Sequence, residues 1–463
     1  MRRQFNDKNR IQHVMNGLNT LYNHMVETQR VDVDEIKSFM EPYFAEAGYR
    51  EVSNNIKIKS GKNKAKLKNE SNTKNILIIH DAGIGDFIIL SAFIREVRRI
   101  YSDSHIVLII HENSLSMAKY CPYIDDVIIF NDNFKEFNYF FKFYESALKI
   151  ASVLLKYKFD IAFNFGQRSS APLLAYMSGA KEIIGQLFRG NSYNDFRAGN
   201  LPIDFFDIFI TFFPPKGLTK PHYNDQYLYI LQKYTKNNIN NKKLEFWLSP
   251  KDNFEAEMLL NDINDEKIYA IAMGSNNEFM RKRWAPENYA KLINIILKDH
   301  SAKFVILGGK SELESAEIVK SLVKPEYIID LTDKLNFRKS AAVLNLCDCY
   351  IGNDTGMMHA AAALKVPVLS PNCFPADMQM TFLSFINQYY PYGVPSVIVQ
   401  PEHALPECKN LNDKVNVLSY TTGCKSDKPH CINQITSESM FQALMLLNKQ
   451  IAKGAIEPCY FIK

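Results

Sequence analysis

The segment ILIIHDAGIGDFIILSAFIREVRRIY (76–101) decides how the rest of the chain is read. An unbroken apolar run, ILIIH (76–80), leads into a turn holding Gly83 and Gly85, and a helical pattern starts near Asp86. A strand without polar alternation belongs to a parallel sheet covered on both faces. Strand, turn and helix in succession is the repeating unit of such sheets. Outward from this segment, IVLII (106–110), VIIF (127–130) and IAFNF (161–165) repeat the strand signature, with helical patterns over 87–100 and 137–156. A second series comprises IYAIAM (268–273), KFVILGG (303–309), YIID (327–330), CYIGN (349–353) and VPVLS (366–370), with helices expected over 286–298, 312–322 and 337–346. The expectation is an α/β chain with two Rossmann-like, doubly wound domains facing each other across a cleft.

The 463 residues exceed one ordinary domain, and length alone suggests about three units. Residues 1–55 carry a helical stripe (Ile11, Val14, Met15, Leu18, Leu21, Tyr22) and read as a helical extension. Residues 56–74 hold seven lysines and one glutamate and read as a self-repelling linker. The first Rossmann-like domain is expected over 75–262, the second over 263–447, and a tail over 448–463, with 437–449 a closing helix. Stretch 186–225 is irregular, and 402–431 is loop-like. A net charge of +5 argues against a nucleic-acid binder, which concentrates a larger basic excess. No continuous apolar stretch marks a leader or a membrane span, since Lys142, Glu145, Lys149, Lys156 and Asp160 interrupt 137–165. The expected location is cytoplasmic.

Four turns carry candidate chemistry. At the first, Gly83-x-Gly85 meets Ile88 where a dinucleotide fingerprint needs a third glycine, and no P-loop lysine follows. What remains is Asp86 at a strand's C-terminal edge, either a general base or a helix N-cap. The second, CYIGNDTGMMHAAAALKVPVL (349–369), places Asp354, Thr355 and Gly356 at a helix start whose amides would suit a diphosphate. His359 lies in that helix's first turn, as a ligand contact or a structural hydrogen-bonder. The third, MGSNNEFMRKRWAPENYAKLI (273–293), offers Arg281, Lys282 and Arg283 as phosphate partners or a solvated basic turn. The fourth, LGGKSELESAEI (307–318), offers Glu312 or Glu314 to ribose hydroxyls or simply to the helix dipole.

Together and in this order, AGIGDFIILSAFIREVRRIY, RKRWAPENYAKL, LGGKSELESAEI and NDTGMMHAAAAL resemble glycosyltransferase family 9, the ADP-heptose:lipopolysaccharide heptosyltransferase family. The resemblance runs from about Asn75 to Leu447. It implies a GT-B fold whose N-terminal domain takes the acceptor and whose C-terminal domain takes the nucleotide sugar. By position, Asp86 matches the family's proposed catalytic base, behind an acceptor-side turn with Gly83 and Gly85. Ser275, Lys282, Glu312, Asp354, Thr355, Gly356 and His359 match donor-binding positions. Ser91-Ala92 departs from the Thr-Pro that many members have soon after the aspartate. The resemblance implies inverting transfer of heptose from ADP-heptose, with no metal required, to a lipopolysaccharide core or related glycolipid at the inner-membrane surface. A protein O-heptosyltransferase acting on a surface protein and a non-catalytic nucleotide-sugar or glycan-binding protein are the alternatives. Some relatives hold iron through cysteines, which makes Cys373, Cys408, Cys424 and Cys431 the metal candidates, against a default of reduced thiols. Cys347 and Cys349 read as core. Arg168 and Arg189 are basic residues of the acceptor half, either acceptor contacts or surface charges.

Overall fold

The computed structural model of the chain describes Thr20 and residues 73–130, 150, 153–166, 171, 174–175, 178–185, 222–263, 266–275, 282–377, 385–404 and 430–462. The expected N-terminal extension (Thr20 apart), the linker up to residue 72, most of the helix expected over 137–156, residues 186–221, Arg168, Arg189, Arg281, Cys408 and Cys424 lie outside the described residues.

The first sheet contains β1 (Asn75–His80), β2 (His105–Ile110), β3 (Asp126–Ile129), β4 (Ile161–Asn164) and β5 (Glu182–Ile184), ordered β3-β2-β1-β4-β5. Every neighbouring pair is parallel, with Ile76 beside Ile106 on one flank and beside Ile161 on the other. Five of the six β1 residues are buried, which accounts for its continuous apolar run. The associated helices are α1 (Ile84–Ile100), α2 (Leu115–Ala118) and α3 (Tyr223–Thr235).

The second sheet follows α4 (Pro250–Leu260), whose start is held by a capping box between Ser249 and Asp252. Its elements are β6 (Lys267–Ala272), α5 (Pro286–Asp299), β7 (Ala302–Ile306), α6 (Leu313–Leu322), β8 (Ile328–Asp330), α7 (Phe337–Leu344), β9 (Cys349–Gly352), α8 (Gly356–Ala363), β10 (Val368–Pro371), α9 (Phe385–Gln388), β11 (Ser396–Gln400), α10 (Ser437–Ala452) and β12 (Pro458–Ile462). The strand order is β12-β11-β10-β9-β6-β7-β8, again parallel throughout. Helix α5 buries Tyr289, Ala290, Leu292, Ile293 and Ile296 along one stripe, and α10 buries Met440, Ala443, Leu444 and Leu447 in the same core. Cys347 and Cys349 are buried, as their alternation suggested.

Three expectations are corrected. The segment 448–463 is no tail: α10 runs to Ala452, and Pro458–Ile462 pairs with β11 as the sheet's edge strand. β12 reads weakly because an edge strand is only half-buried. Helix α1 begins at Ile84 behind Gly83, so Asp86 sits inside the first turn and is not the N-cap. The chain also groups into two bodies by contact: Met1–Gly83, Phe93–Thr219 and Gln226–Asn240 form one; Ile84–Ala92, Lys220–Asp225 and Asn241–Lys463 form the other. The expected contiguous break at 262 and 263 therefore misplaces the described residues 84–92, 222–225 and 241–262, which group with the second sheet.

Candidate active site

In a doubly wound sheet, ligands bind beyond the carboxyl ends of the strands where the winding order reverses. In the second sheet that point lies between β6 and β9. The residues just past those two strands are Met273–Ser275 and Asn353–Gly356, which contain four of the expected donor positions, Ser275, Asp354, Thr355 and Gly356.

The turn after β9 is compact for steric reasons. A Cβ on Gly352 would stand 2.5 Å from the Ala272 carbonyl oxygen and 2.6 Å from the Tyr350 hydroxyl, so only glycine fits. The Tyr350 hydroxyl donates to the Asn353 carbonyl at 2.8 Å and also meets the Thr355 side chain. Thr355 precedes α8 in an extended conformation (φ −147°), with no side-chain cap. The first amides of α8 are thus not claimed by its capping side chain, and the helix dipole puts partial positive charge there. Lys282 Nζ donates to Asp354 Oδ2 at 3.0 Å, both side chains about nine-tenths buried.

Helix α1 brings its own N-terminus to the same place. A Cβ on Gly85 would lie 2.9 Å from Cδ2 of His359 and 3.2 Å from Cα of Gly356; one on Gly356 would lie 2.8 Å from the Ile84 side chain. The two glycines allow the first turns of α1 and α8 to abut, and Asp86 follows Gly85 directly. Gly83 is exposed, with φ −69°, a value any residue adopts. The His359 ring is buried, and burial pulls its pKa down to about 4, so it is neutral at pH 7. Its Nδ1 has no hydrogen-bond partner among the described residues.

On the β6 side, Arg283 organises the turn. Its guanidinium donates to the Ser275 carbonyl (2.7 Å), Ser275 Oγ (3.2 Å) and Glu312 Oε1 (3.1 Å). Glu312 also accepts from the Gly309 amide at 2.8 Å and from the Ser311 hydroxyl. It nests against Gly274 and Gly308, where a Cβ would come within 2.8 and 2.9 Å of its side chain. Glu312, and not Glu314, therefore reaches this turn, in a carboxylate already gripped by local donors. An open pocket beside Asp354 is lined by Met358, Asn372, Ile386, Tyr389 and Tyr390.

Sequence reasoning overlooked Asn353 and His222. Asn353 is fully buried and its amide bonds to three chain segments; an amide at the end of an apolar strand was the available signal. His222 is buried in a fixed tautomer, its Nε2 donating to the Tyr390 carbonyl and its Nδ1 accepting from the Asn224 amide. No local pattern announces it, because its partners are 168 residues and two residues away. Of the cysteines proposed for metal, Cys373 packs half-buried against the second core, and Cys431 Sγ lies 3.6 Å from His430 Nδ1. Among the described residues no three His, Cys, Asp or Glu side chains gather into a cation site. No described helix is long and apolar enough to cross a membrane.

A family model described as glycosyltransferase family 9 (heptosyltransferase) matches residues 147–371. Lipooligosaccharide heptosyltransferase 2 of Haemophilus influenzae is 30% identical over 91 residues, 19% of this chain; the chain spans only about a quarter (26%) of that relative's length. Among solved structures, the glycosyl transferase family 9 protein of Veillonella parvula superposes with a TM-score of 0.64 at 20% identity, covering 83% of this chain and 100% of that one. The ADP-heptose lps heptosyltransferase II of E. coli superposes with a TM-score of 0.58 at 14% identity, covering 82% and 99%. The two parallel-sheet α/β bodies thus have the fold of the GT-B heptosyltransferases.

Proposed function

We propose that the chain, whose residues 147–371 match the glycosyltransferase family 9 model, transfers heptose from ADP-heptose to a hydroxyl of a lipopolysaccharide-core glycolipid, with inversion at the anomeric carbon. The observation that carries this reading is the abutment of two helix N-termini, which sets Asp86 one residue from the Gly85–His359–Gly356 contact. A base for the acceptor and a cradle for the leaving diphosphate must lie within one sugar's width of each other, and this contact supports that placement.

In the reaction, the Asp86 carboxylate takes the proton of the acceptor hydroxyl as that oxygen attacks the anomeric carbon. The bond from that carbon to the β-phosphate oxygen breaks, and the pair of electrons leaves with ADP. Negative charge then grows on the diphosphate, where the first amides of α8 and the Lys282 ammonium face it. Asp354 holds Lys282 in the meantime, so the ion pair keeps the ammonium beside the cradle. The neutral His359 ring adds no charge beside Lys282. Ser275 and Glu312, tied by Arg283, border the nucleotide end.

The test is turnover of the purified chain with a panel of sugar nucleotides, with lipopolysaccharide core and surface protein as acceptors, following ADP release and the anomeric configuration of the product. ADP-heptose with the glycolipid should turn over, and Asp86→Asn should slow kcat by about a hundred- to ten-thousand-fold. Equal turnover by Asp86→Asn removes the role of Asp86. Transfer to the protein acceptor alone moves the acceptor assignment, and transfer only from another nucleotide sugar moves the donor.

A further inference from the structure

Asn353 stands at the end of β9, fully buried, and its side chain uses both ends of the amide. Oδ1 accepts from the Trp284 amide at 3.2 Å and from the Tyr289 hydroxyl at 2.9 Å. Nδ2 donates to the Met273 carbonyl at 2.6 Å and to the Gly274 carbonyl at 3.3 Å. Its own carbonyl is fixed by the Tyr350 hydroxyl. These bonds join the chain just before Ser275, the chain just after Lys282 and the residue adjoining Asp354. Trp284 is further pinned, its indole donating to the Ile435 carbonyl at 2.8 Å. We propose that Asn353 is a positioning residue that sets Lys282 and Asp354 in register for the donor diphosphate. Only a primary amide does this: a carboxylate could not donate to the two carbonyls, and an aliphatic side chain would remove the bonds that three buried groups, the Trp284 amide, the Tyr289 hydroxyl and the Met273 carbonyl, make here. The inference rests on the donor-side reading of Lys282 given above.

The experiment measures ADP affinity by calorimetry for wild type, Asn353→Asp, Lys282→Met and the double variant, alongside thermal melts. If Asn353 acts through Lys282, Asn353→Asp weakens ADP binding by about tenfold or more. In the Lys282→Met background the same change then costs less than about threefold, because the group it positions is gone. An undiminished loss in that background overturns the inference, since it assigns Asn353 to the general stability of the turn. Unchanged affinity in Asn353→Asp with weakened Lys282→Met also overturns it, alone. Unchanged affinity in Lys282→Met overturns the donor reading itself and the inference with it. Should Asn353→Asp fail to fold, Tyr289→Phe removes one bond to the same amide oxygen. It should weaken ADP about two- to threefold with the same dependence on Lys282, and independence from Lys282 counts against the inference.

Discussion

The turns after β1 and after β9 look alike in sequence, each with a strand, two glycines near an aspartate and a helix, yet the structure uses them differently. Asp86 lies inside the first turn of a 17-residue helix. Asp354 lies before an eight-residue helix and is ion-paired with Lys282. A carboxylate inside a helix start lies beside the partial positive charge of the helix's first amides. A carboxylate ahead of one, beside a buried ammonium, holds that ammonium in place. The same residue type in the same kind of turn is therefore read as a proton acceptor in one case and as a cation holder in the other.

That contrast can be broken most directly at the two aspartates. Asp86→Asn is expected to lose kcat by the factor given above while its ADP affinity stays within about twofold of wild type, because it touches the acceptor's proton and not the diphosphate. Asp354→Asn should instead lower the stability of the unliganded protein, by about 3 kcal/mol, because it takes a carboxylate from a buried ammonium. ADP should restore part of that loss, so the melting-temperature rise on adding ADP should exceed that of wild type. Similar profiles for the two variants would erase the distinction.

Acid sharpens the comparison next, because each turn has a buried histidine: His80 closes β1 and His359 opens α8. Burial lowers both from 6.5 to about 4, and His222 from 6.5 to about 3. The unfolded chain binds these protons first, so stability is complete above about pH 6.5 and falls as pH drops towards 4. Each of His80 and His359 contributes about 3 kcal/mol to that fall once pH is below its folded value. Urea midpoints from pH 7 to 4 measure it, and His359→Asn should flatten the curve. An unchanged slope would mean that His359 is not held neutral by burial.

The smallest expected effects are steric. Gly352→Ala drives a methyl against the Ala272 carbonyl and the Tyr350 hydroxyl, at 2.5 and 2.6 Å. It should cost about 1–3 kcal/mol in chemical unfolding. Gly85→Ala meets the His359 ring at 2.9 Å, but regains about 0.5–1 kcal/mol of helix propensity. Its net loss should be smaller, and its signature should be slowed turnover as α1 is pushed from α8. Equal losses at both glycines would mean that the α1–α8 contact is at least as tight as the β9 turn.

Much of the second sheet was legible because continuous burial writes itself into composition. The β6, β7, β9 and β10 strands are apolar runs, and α5 shows its stripe as Tyr289, Leu292, Ile293 and Ile296. β12 was missed because half-exposed edge strands need fewer apolar residues, and β5 because three residues carry almost no pattern. The helix start at Ile84 was misjudged because Gly83 gives no side-chain cap to recognise.

By itself the sequence determined the winding of two parallel sheets, the turns at which chemistry would sit and the residue types placed there. These are local matters, governed by burial periodicity and by the amides and glycines of each strand-to-helix turn. Only the tertiary structure decided that Lys282 pairs with Asp354, that Glu312 is held by Arg283, and that Gly85 lies against Gly356. It also singled out Asn353 as the amide joining segments up to 80 residues apart. Such partnerships depend on which strands neighbour each other at the reversal between β6 and β9. That adjacency arises from the packing of the whole sheet and leaves no mark within any one segment.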